Sequence, residues 1–316
     1  MSGSSHVVVG AGLIGRRVAH LLMERGDALT LLTRRGTELP GARAVAADAS
    51  DTAALTAAAD GARTIFLCAN PPVYSAEEWA RVWPPIFRAA IAAAHDTGAA
   101  LVVMGNLYPY GLPDGPMTEH SPELTTSPKG LIRKAGWEAV KAANDAGELR
   151  GVEVRASDYF GPGAAATAML GDRFFVPVLD SRVARVVGHP DLPHSWSYLD
   201  DIAATLVAAS RYGGEWGRIW HVPSGEPHAM HEIAETVDGW YGAKGRVAPI
   251  PQGVLRTLAL FSPQLKGVLD ESYQFRNPFV IDATETEQKL GVHATPWEQA
   301  LRATAESYRA AATDPR

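Results

Sequence analysis

The sequence of 316 residues has one cysteine and no excess of positive charge. A single cysteine, Cys68, excludes an internal disulfide and favours a reducing compartment. Lys and Arg number 29 against 35 Asp and Glu, so the net charge is −6 and no basic surface for nucleic acid or anionic lipid is expected. No apolar run is long enough to span a bilayer, and the first residues lack the basic segment and apolar core of a signal peptide. We therefore expect a cytoplasmic protein, monomer or homodimer, that binds neither nucleic acid nor membrane.

Two common classes of catalytic site are also missing from the sequence. The ten histidines are scattered, without the paired spacing to Cys, Asp or Glu that is typical of zinc sites. No G-x-S-x-G segment occurs, so the nucleophile elbow of the serine hydrolases is absent. The sequence thus predicts no metal ion and no hydrolase of that type.

The sequence does contain an alternation of short apolar runs and helical stretches. The apolar runs predict strands at 6–12, 28–33, 42–48, 64–69, 100–105 and 152–157. The stretches with apolar residues three and four apart predict helices at 13–26, 51–60, 76–97 and 128–147. Buried strands separated by helices imply a parallel sheet that is covered on both faces. We predict an α/β fold, a doubly wound parallel sheet of the Rossmann type with a smaller C-terminal substrate lobe.

Joints rich in Gly and Pro predict where the chain leaves the sheet. The dinucleotide-binding domain is predicted to contain residues 1–160, with 194–225 and 279–290 returning to it. The smaller lobe is predicted to contain residues 161–193, 226–278 and 291–316. Two apolar segments of that lobe, 161–187 and 252–279, are candidates for a lid, and ordinary core of the lobe is the alternative.

A glycine-rich motif, Gly10-Ala11-Gly12-Leu13-Ile14-Gly15, closes the first predicted strand and opens the first helix. In this setting glycines permit a tight turn and let the backbone approach a pyrophosphate, which the free N–H groups of the helix N-terminus can bind. A plain strand–helix turn is the alternative. The context favours a dinucleotide, with contacts predicted at Gly10, Gly12, Leu13, Ile14, Gly15, Ala69 and Asn70.

The end of the second predicted strand indicates which dinucleotide binds. Arg34 and Arg35 lie where an NAD-binding protein usually carries an Asp or Glu for the ribose 2′-hydroxyl. A guanidinium can bind two oxygens of a 2′-phosphate at once, so we predict NADP(H), with Arg34 ahead of Arg35. Arginines that only face solvent are the alternative. Asp48, after the third strand, is placed to accept a hydrogen bond from the adenine amine or to cap a turn.

The order of these pieces resembles the extended short-chain dehydrogenase/reductase family, which contains sugar epimerases and dehydratases. The segment LVVMGNLYPYG (101–111) resembles the family's fifth strand, and VRASDYFGPG (154–163) resembles its sixth strand and the loop beside the nicotinamide. The segments 193–207, 220–225 and 289–304 resemble later landmarks, so the resemblance covers nearly the whole chain. It implies that Tyr159 and Phe160 contact the cofactor.

The chain departs from the family at its catalytic signature. The segment GLIRKAGWE (130–138) keeps the family's Lys134 and Glu138 but has Gly130 where the family has its tyrosine. None of the nine tyrosines has a lysine four residues on, so the motif is lost and not displaced. The chain therefore resembles an atypical subgroup without this tyrosine. That subgroup includes the simocyclinone polyketide ketoreductase and NADP-binding regulators that are not catalytic.

In the family, the tyrosine gives a proton to a carbonyl oxygen as hydride reaches the carbon, and the lysine holds the nicotinamide ribose. The resemblance implies the ribose role for Lys134, with a surface lysine as the alternative. It puts Asn106 in place of the family's Ser or Thr, where an amide can donate a hydrogen bond to an oxyanion but cannot release a proton. The proton then comes from water, from a nearby tyrosine or His194, or from a phenol on the substrate.

Aromatic residues on segments that should meet at the sheet's C-terminal edge suggest a flat substrate. The predicted substrate contacts are Tyr108, Tyr110, Trp137, His194 and Trp196, with structural packing as the alternative. We predict a reductase that transfers hydride from NADPH to a ketone of an aromatic, polyketide-like small molecule. A non-catalytic NADP(H) sensor is the alternative. A sugar epimerase is disfavoured because it needs the missing base.

Overall fold

The computed structural model describes residues 4–165 and 168–313. Residues 1–3, 166–167 and 314–316, which belong to the predicted domains and to one predicted lid segment, lie outside the described residues. The strands are β1 (Ser5–Val9), β2 (Ala28–Thr33), β3 (Arg43–Ala46), β4 (Thr64–Leu67), β5 (Ala100–Asn106), β6 (Gly151–Ala156), β7 (Asp158–Phe160), β8 (Val183–Val186), β9 (Trp196–Tyr198), β10 (Arg218–His221) and β11 (Arg246–Pro249). The helices are α1 (Leu13–Glu24), α2 (Thr52–Ala58), α3 (Ala76–Thr97), α4 (Pro128–Asp145), α5 (Asp172–Leu179), α6 (Leu199–Ala209), α7 (Met230–Tyr241), α8 (Gln252–Ala259), α9 (Pro263–Asp270), α10 (Thr284–Leu290) and α11 (Trp297–Thr313).

Seven parallel strands form the central sheet in the order β10-β6-β5-β4-β1-β2-β3. Val7 at the centre pairs with Thr30 on one side and with Ile65 on the other. The chain builds β2 and β3 on one side of β1 and then crosses to build β4, β5 and β6 on the other. The predicted Rossmann-type, doubly wound α/β fold is confirmed, and its switch point lies between β1 and β4.

Both faces of the sheet are buried under helices, which explains why its strands are apolar throughout. Helices α2, α3 and α4 cover one face, where Trp79 and Trp83 of α3 lie in the core with Leu101 of β5. Helices α1 and α6 cover the other face, where Val18 and Leu206 pack on the strands. No helix in the described part of the chain is long and apolar enough to cross a membrane.

The smaller lobe has its own apolar core beside the sheet. Phe174 and Phe175 of α5 are completely buried in that core. Within the first predicted lid segment, helix α5 is therefore ordinary core of the lobe, which was the alternative. In the second segment, Leu260 and Phe261, just after α8, are 80% and 83% exposed.

Candidate functional site

A cleft of about 540 Å³ lies at the switch point, beyond the carboxyl ends of β1 to β4. One wall is the loop from β1 to α1, and the facing wall belongs to α3. The predicted cofactor residues that line it are Gly10, Gly12, Arg34, Arg35, Asp48, Ala69 and Asn70. Open doubly wound sheets bind their ligands in this position, so the cleft is the candidate functional site.

The three glycines of the motif are required for different reasons. Gly10 has a φ of +101°, and a Cβ there would lie 2.8 Å from the Cα of Ala69. A Cβ on Gly15 would lie 2.0 Å from the carbonyl oxygen of Gly10. A Cβ on Gly12, by contrast, would meet no atom of the described chain within 4 Å. The protein's own packing thus explains Gly10 and Gly15, whereas Gly12 leaves room in the cleft for a ligand that approaches the backbone.

The far end of the cleft is positively charged. Arg34 and Arg35 follow β2, are exposed, and form no hydrogen bond or ion pair with any described residue. Arg81 of α3 also lines the cleft, and its guanidinium binds Glu78 through two contacts of 2.7 and 3.1 Å. Arg34 is close enough to Asp48 to help lower the pKa of that carboxyl. Both guanidinium groups are exposed and lie where a ligand's anionic group can meet them.

Asp48 lines the same end of the cleft and also holds a turn. Its Oδ1 accepts hydrogen bonds from the backbone N–H and the hydroxyl of Ser50, at 2.9 and 2.6 Å. These bonds lower the pKa of the Asp48 carboxyl, so it stays ionised and able to accept further donors. The turn role is present in the structure, and the contact with adenine remains a prediction.

Several residues that were predicted to bind the cofactor do not line this cleft, namely Leu13, Ile14, Gly15, Lys134, Tyr159 and Phe160. The Nζ of Lys134 donates to the carbonyl oxygen of Glu123 at 2.8 Å and lies 3.9 Å from the carboxylate of Glu138. Phe160 is 1% exposed and packs on Tyr198 and Trp297. The ribose role of Lys134 therefore remains a prediction, and the ring of Phe160 lies in the core of the lobe.

The position of the missing tyrosine is closed. Gly130 is buried in the first turn of α4, where its N–H donates to the hydroxyl of Ser127. A Cβ on Gly130 would lie 2.1 Å from Thr125 Oγ1 and 2.7 Å from the carbonyl oxygen of Tyr108. Because real Cβ atoms do not approach so closely, no larger side chain fits here without local rearrangement. The packing around the start of α4 therefore leaves no space for a tyrosine at position 130.

Four of the five predicted substrate contacts are buried side chains, and three of these, Trp137, Trp196 and Tyr110, lie in the apolar cores. Trp137 is 3% exposed in the core under α4, and Trp196 is 1% exposed with its indole N–H donating to the carbonyl oxygen of His228. Tyr110 is 2% exposed, with its hydroxyl 2.7 Å from Nε2 of His221. For these three the packing alternative describes the placement, and a substrate contact finds no support in it.

The other two predicted contacts differ in accessibility. His194 is 3% exposed, stacks on Phe275, and has Nε2 3.0 Å from Asp158 Oδ2. Tyr108 is only half-buried. Among the five, Tyr108 is therefore the side chain best placed to meet a substrate.

A polar cluster that the sequence analysis missed surrounds Tyr108. Its hydroxyl lies 2.6 Å from the hydroxyl of Tyr74, and the two form what we call the tyrosine pair. The Nζ of Lys129 lies 4.2 Å from the centroid of the Tyr74 ring and 3.4 Å from Oε1 of Glu271, and it donates to the carbonyl oxygen of Gly267. Burial raises the pKa of both tyrosines well above the usual range, so both hydroxyls carry their protons at neutral pH.

The residues of α3 that line the cleft had a signal in the sequence. Glu78, Arg81, Val82 and Pro85 follow the spacing i, i+3, i+4, i+7, which places them on one face of a helix. That face points to the cleft because α3 begins soon after β4. The pattern was readable, but only with the position of α3 on the sheet already known.

A doubly wound sheet with a glycine turn at its switch point is the architecture of nucleotide-binding Rossmann proteins. Residues 6–222 match the sequence model of the NAD-dependent epimerase/dehydratase family. The chain belongs to this family. A comparison with curated proteins finds no significant match.

Solved structures with the same fold cover almost the whole chain. MoeE5, in complex with UDP-glucuronic acid and NAD, is 18% identical, with a TM-score of 0.81 over 98% of this chain and 100% of that chain. UDP-glucose 4-epimerase from Thermotoga maritima is 17% identical, with a TM-score of 0.78 over 98% of this chain and 99% of that one. A double mutant of DesIV, a dTDP-glucose 4,6-dehydratase from Streptomyces venezuelae, is 20% identical, with a TM-score of 0.77 over 96% of each chain. At these identities the likeness shows the fold.

Proposed function

We propose that the protein is an NADP(H)-dependent reductase that acts without a tyrosine at position 130. Its substrate is a ketone of an aromatic, polyketide-like small molecule. The choice of cofactor rests on one observation, the pair of exposed guanidinium groups of Arg34 and Arg35 at one end of the switch-point cleft. The NAD bound in the structures of MoeE5 and DesIV supports a dinucleotide in this cleft.

The choice of NADP(H) over NAD(H) follows from the charges at that end of the cleft. A 2′-phosphate is a dianion that accepts hydrogen bonds from arginine in a forked geometry. A ribose 2′-hydroxyl would instead need a carboxylate acceptor at the end of β2, and the residues there are Thr33, Arg34 and Arg35. Asp48 lies after β3, where its turn with Ser50 holds it.

The residues of the chain divide the remaining tasks. Gly12 leaves the backbone open to the pyrophosphate, and the N-terminus of α1 provides N–H groups for it. When bound, the reduced nicotinamide supplies a hydride. Asn106, whose Oδ1 accepts the N–H of Tyr108 at 3.2 Å, keeps its amide N–H₂ group for a substrate oxygen. Since Gly130 cannot give a proton, a different group must do so.

One observation favours a second candidate function, a sensor that binds NADP(H) without turnover. Lys134 donates to the carbonyl oxygen of Glu123, and Gly130 is closed by Thr125. Both positions of the family's signature are thus engaged with the segment before α4. A protein that only binds NADP(H) needs no proton donor at position 130, so this arrangement would not impair it.

Consumption of NADPH with a panel of aromatic ketones separates the two functions. The reductase oxidises NADPH only when a ketone is added and forms one alcohol for each NADPH oxidised. The sensor binds NADPH with the same preference over NADH but consumes none with any ketone. Equal affinity for NADPH and NADH would contradict the cofactor assignment in both cases.

A further inference from the structure

We infer that Tyr108 is the acid of this reductase and that Tyr74 positions it, an inference that rests on the proposed function. The family's tyrosine lies on the helix that follows the fifth strand, whereas Tyr108 lies on the turn that directly ends this strand. The chain has thus replaced an acid on α4 with an acid on the neighbouring turn. The atoms that a side chain at position 130 would clash with include the carbonyl oxygen of Tyr108.

The fold places the tyrosine pair at the same edge of the central sheet as the candidate site. Tyr108 begins a single turn of 3-10 helix, Tyr108–Tyr110, that follows β5. Tyr74 lies between β4 and the N-cap of α3, Ser75. Strands β4 and β5 are neighbours in the sheet, so the segments that follow their carboxyl ends bring the two hydroxyls together. Asn106, predicted to bind the carbonyl oxygen, is the last residue of β5 and lies two residues before Tyr108.

The pair is protonated at neutral pH, which a proton donor requires, and packing holds its rings in place. Both side chains are half-buried, so part of each is exposed while the rest is held by protein. The ring of Tyr108 stacks on Trp79 with centroids 6.1 Å apart and an angle of 23° between the planes. When Tyr108 releases its proton, the hydroxyl of Tyr74 can donate to the phenolate that remains. On that side lie Lys129, 4.2 Å from the centroid of the Tyr74 ring, and its ion-pair partner Glu271.

The other protein candidates are engaged elsewhere. The hydroxyl of Tyr110 is paired with His221, and its side chain is 2% exposed. His194 is 3% exposed, stacks on Phe275 and is bound to Asp158. Neither can reach a substrate without opening the core, which leaves the tyrosine pair as the better-placed source.

The reaction balances as follows. The carbonyl carbon accepts a hydride and forms a C–H bond, and the π electrons of the C=O bond move to oxygen. The O–H bond of Tyr108 breaks and its proton passes to that oxygen, giving the alcohol. The ketone is reduced and NADPH, the reductant of the proposed function, is oxidised. Tyr108 then recovers a proton from water through the hydroxyl of Tyr74.

Single-turnover reduction of an aromatic ketone by NADPH tests the assignment in four proteins besides the native one. Tyr108→Phe should slow reduction by on the order of 100-fold or more, with NADPH affinity unchanged. Tyr74→Phe should slow it by about tenfold, and by almost nothing in the Tyr108→Phe background, because the two act as one unit. Tyr212→Phe is the matched control. Its ring packs on Trp220, on the other face of the sheet, and its rate should equal that of the native protein.

The same ketones distinguish this source from the substrate's own phenol. A ketone with an adjacent phenol and its O-methyl ether should both lose their reactivity in Tyr108→Phe. The inference is overturned if Tyr108→Phe reduces either ketone at the native rate, or if O-methylation alone abolishes the reaction.

Binding of 4-nitrophenolate, which mimics the oxyanion, gives a readout that needs no turnover. The protein should bind it, and Tyr108→Phe should weaken binding by on the order of 10- to 100-fold while Tyr212→Phe leaves it unchanged. If no ketone is reduced, the proposed function fails, and this measurement alone decides whether the pair is an oxyanion site. Absent binding, or equal binding by all variants, overturns the inference.

Discussion

Replacement of Arg34 by alanine should change the choice of cofactor without changing the fold. Arg34 is exposed and forms no hydrogen bond or ion pair with a described residue, so its removal costs the folded protein only a screened attraction to Asp48. The main loss is in binding of the ligand. One charge-assisted bidentate contact contributes about 2 kcal/mol, which corresponds to about a thirtyfold weaker affinity for NADPH. Because the site is exposed, the effect should shrink as salt is added.

Calorimetric titration with NADPH and NADH measures this change. Arg34→Ala should raise the Kd for NADPH by about thirtyfold and leave that for NADH nearly unchanged. Arg25→Ala is the matched control, since Arg25 is also an exposed arginine but follows α1 and does not line the cleft. Equal weakening of both cofactors by Arg34→Ala would show that this guanidinium does not recognise the phosphate.

Three further substitutions test the site at other points. Gly12→Val fills the space left for the pyrophosphate, so it should abolish NADPH binding in calorimetry while circular dichroism shows a folded protein; retained binding would make the loop an ordinary turn. Gly130→Ala should lower the free energy of unfolding in urea by about 2 kcal/mol, because a Cβ there clashes with Thr125 and Tyr108. The control Gly239→Ala, in an open and exposed position of α7, should be neutral or stabilising by up to about 1 kcal/mol. Equal stabilities of the two variants would show that position 130 has room for a side chain. Lys134→Ala should weaken NADPH binding yet leave measurable ketone reduction, and complete loss of reduction with normal binding would assign this lysine a proton role.

The central sheet was predictable because its signals are local. The run 28–33 and strand β2 coincide residue for residue, since an apolar run between Asp27 and Arg34 has clear ends. Strand β10 was missed because Arg218–His221 has four residues with a charged residue at its start and no apolar run. It is a strand because Trp220 pairs with Val154 of β6, which is a property of the tertiary structure.

In the candidate site, too, features encoded in one segment were predictable and features formed by distant segments were not. The residues from Gly10 to Gly15 lie in one loop, and Arg34 ends one strand, so a single segment of sequence indicates each role. The tyrosine pair joins residues that are 34 positions apart, and its partner Lys129 contacts Gly267 from the smaller lobe, 138 positions away. No spacing in the sequence predicts such contacts.

Trp137 was predicted to contact a substrate, yet the residues around it in the sequence indicate a buried position. Gly136, Trp137 and Val140 lie on one face of α4, and all three are buried. Counted from the buried Arg133, they lie at positions i+3, i+4 and i+7, which is the spacing of a helix face that packs on the core. Weighting this spacing above the general position of α4 would have predicted a buried tryptophan and no substrate contact.

Transfer of deuterium from NADPH labelled at C4 of the nicotinamide tests the central claim most directly. The account predicts that one of the two C4 labels, and only one, appears on the carbinol carbon of the alcohol, and that the native protein transfers it although residue 130 is glycine. No deuterium in any alcohol, with NADPH bound and preferred over NADH, would contradict the reductase and leave the sensor.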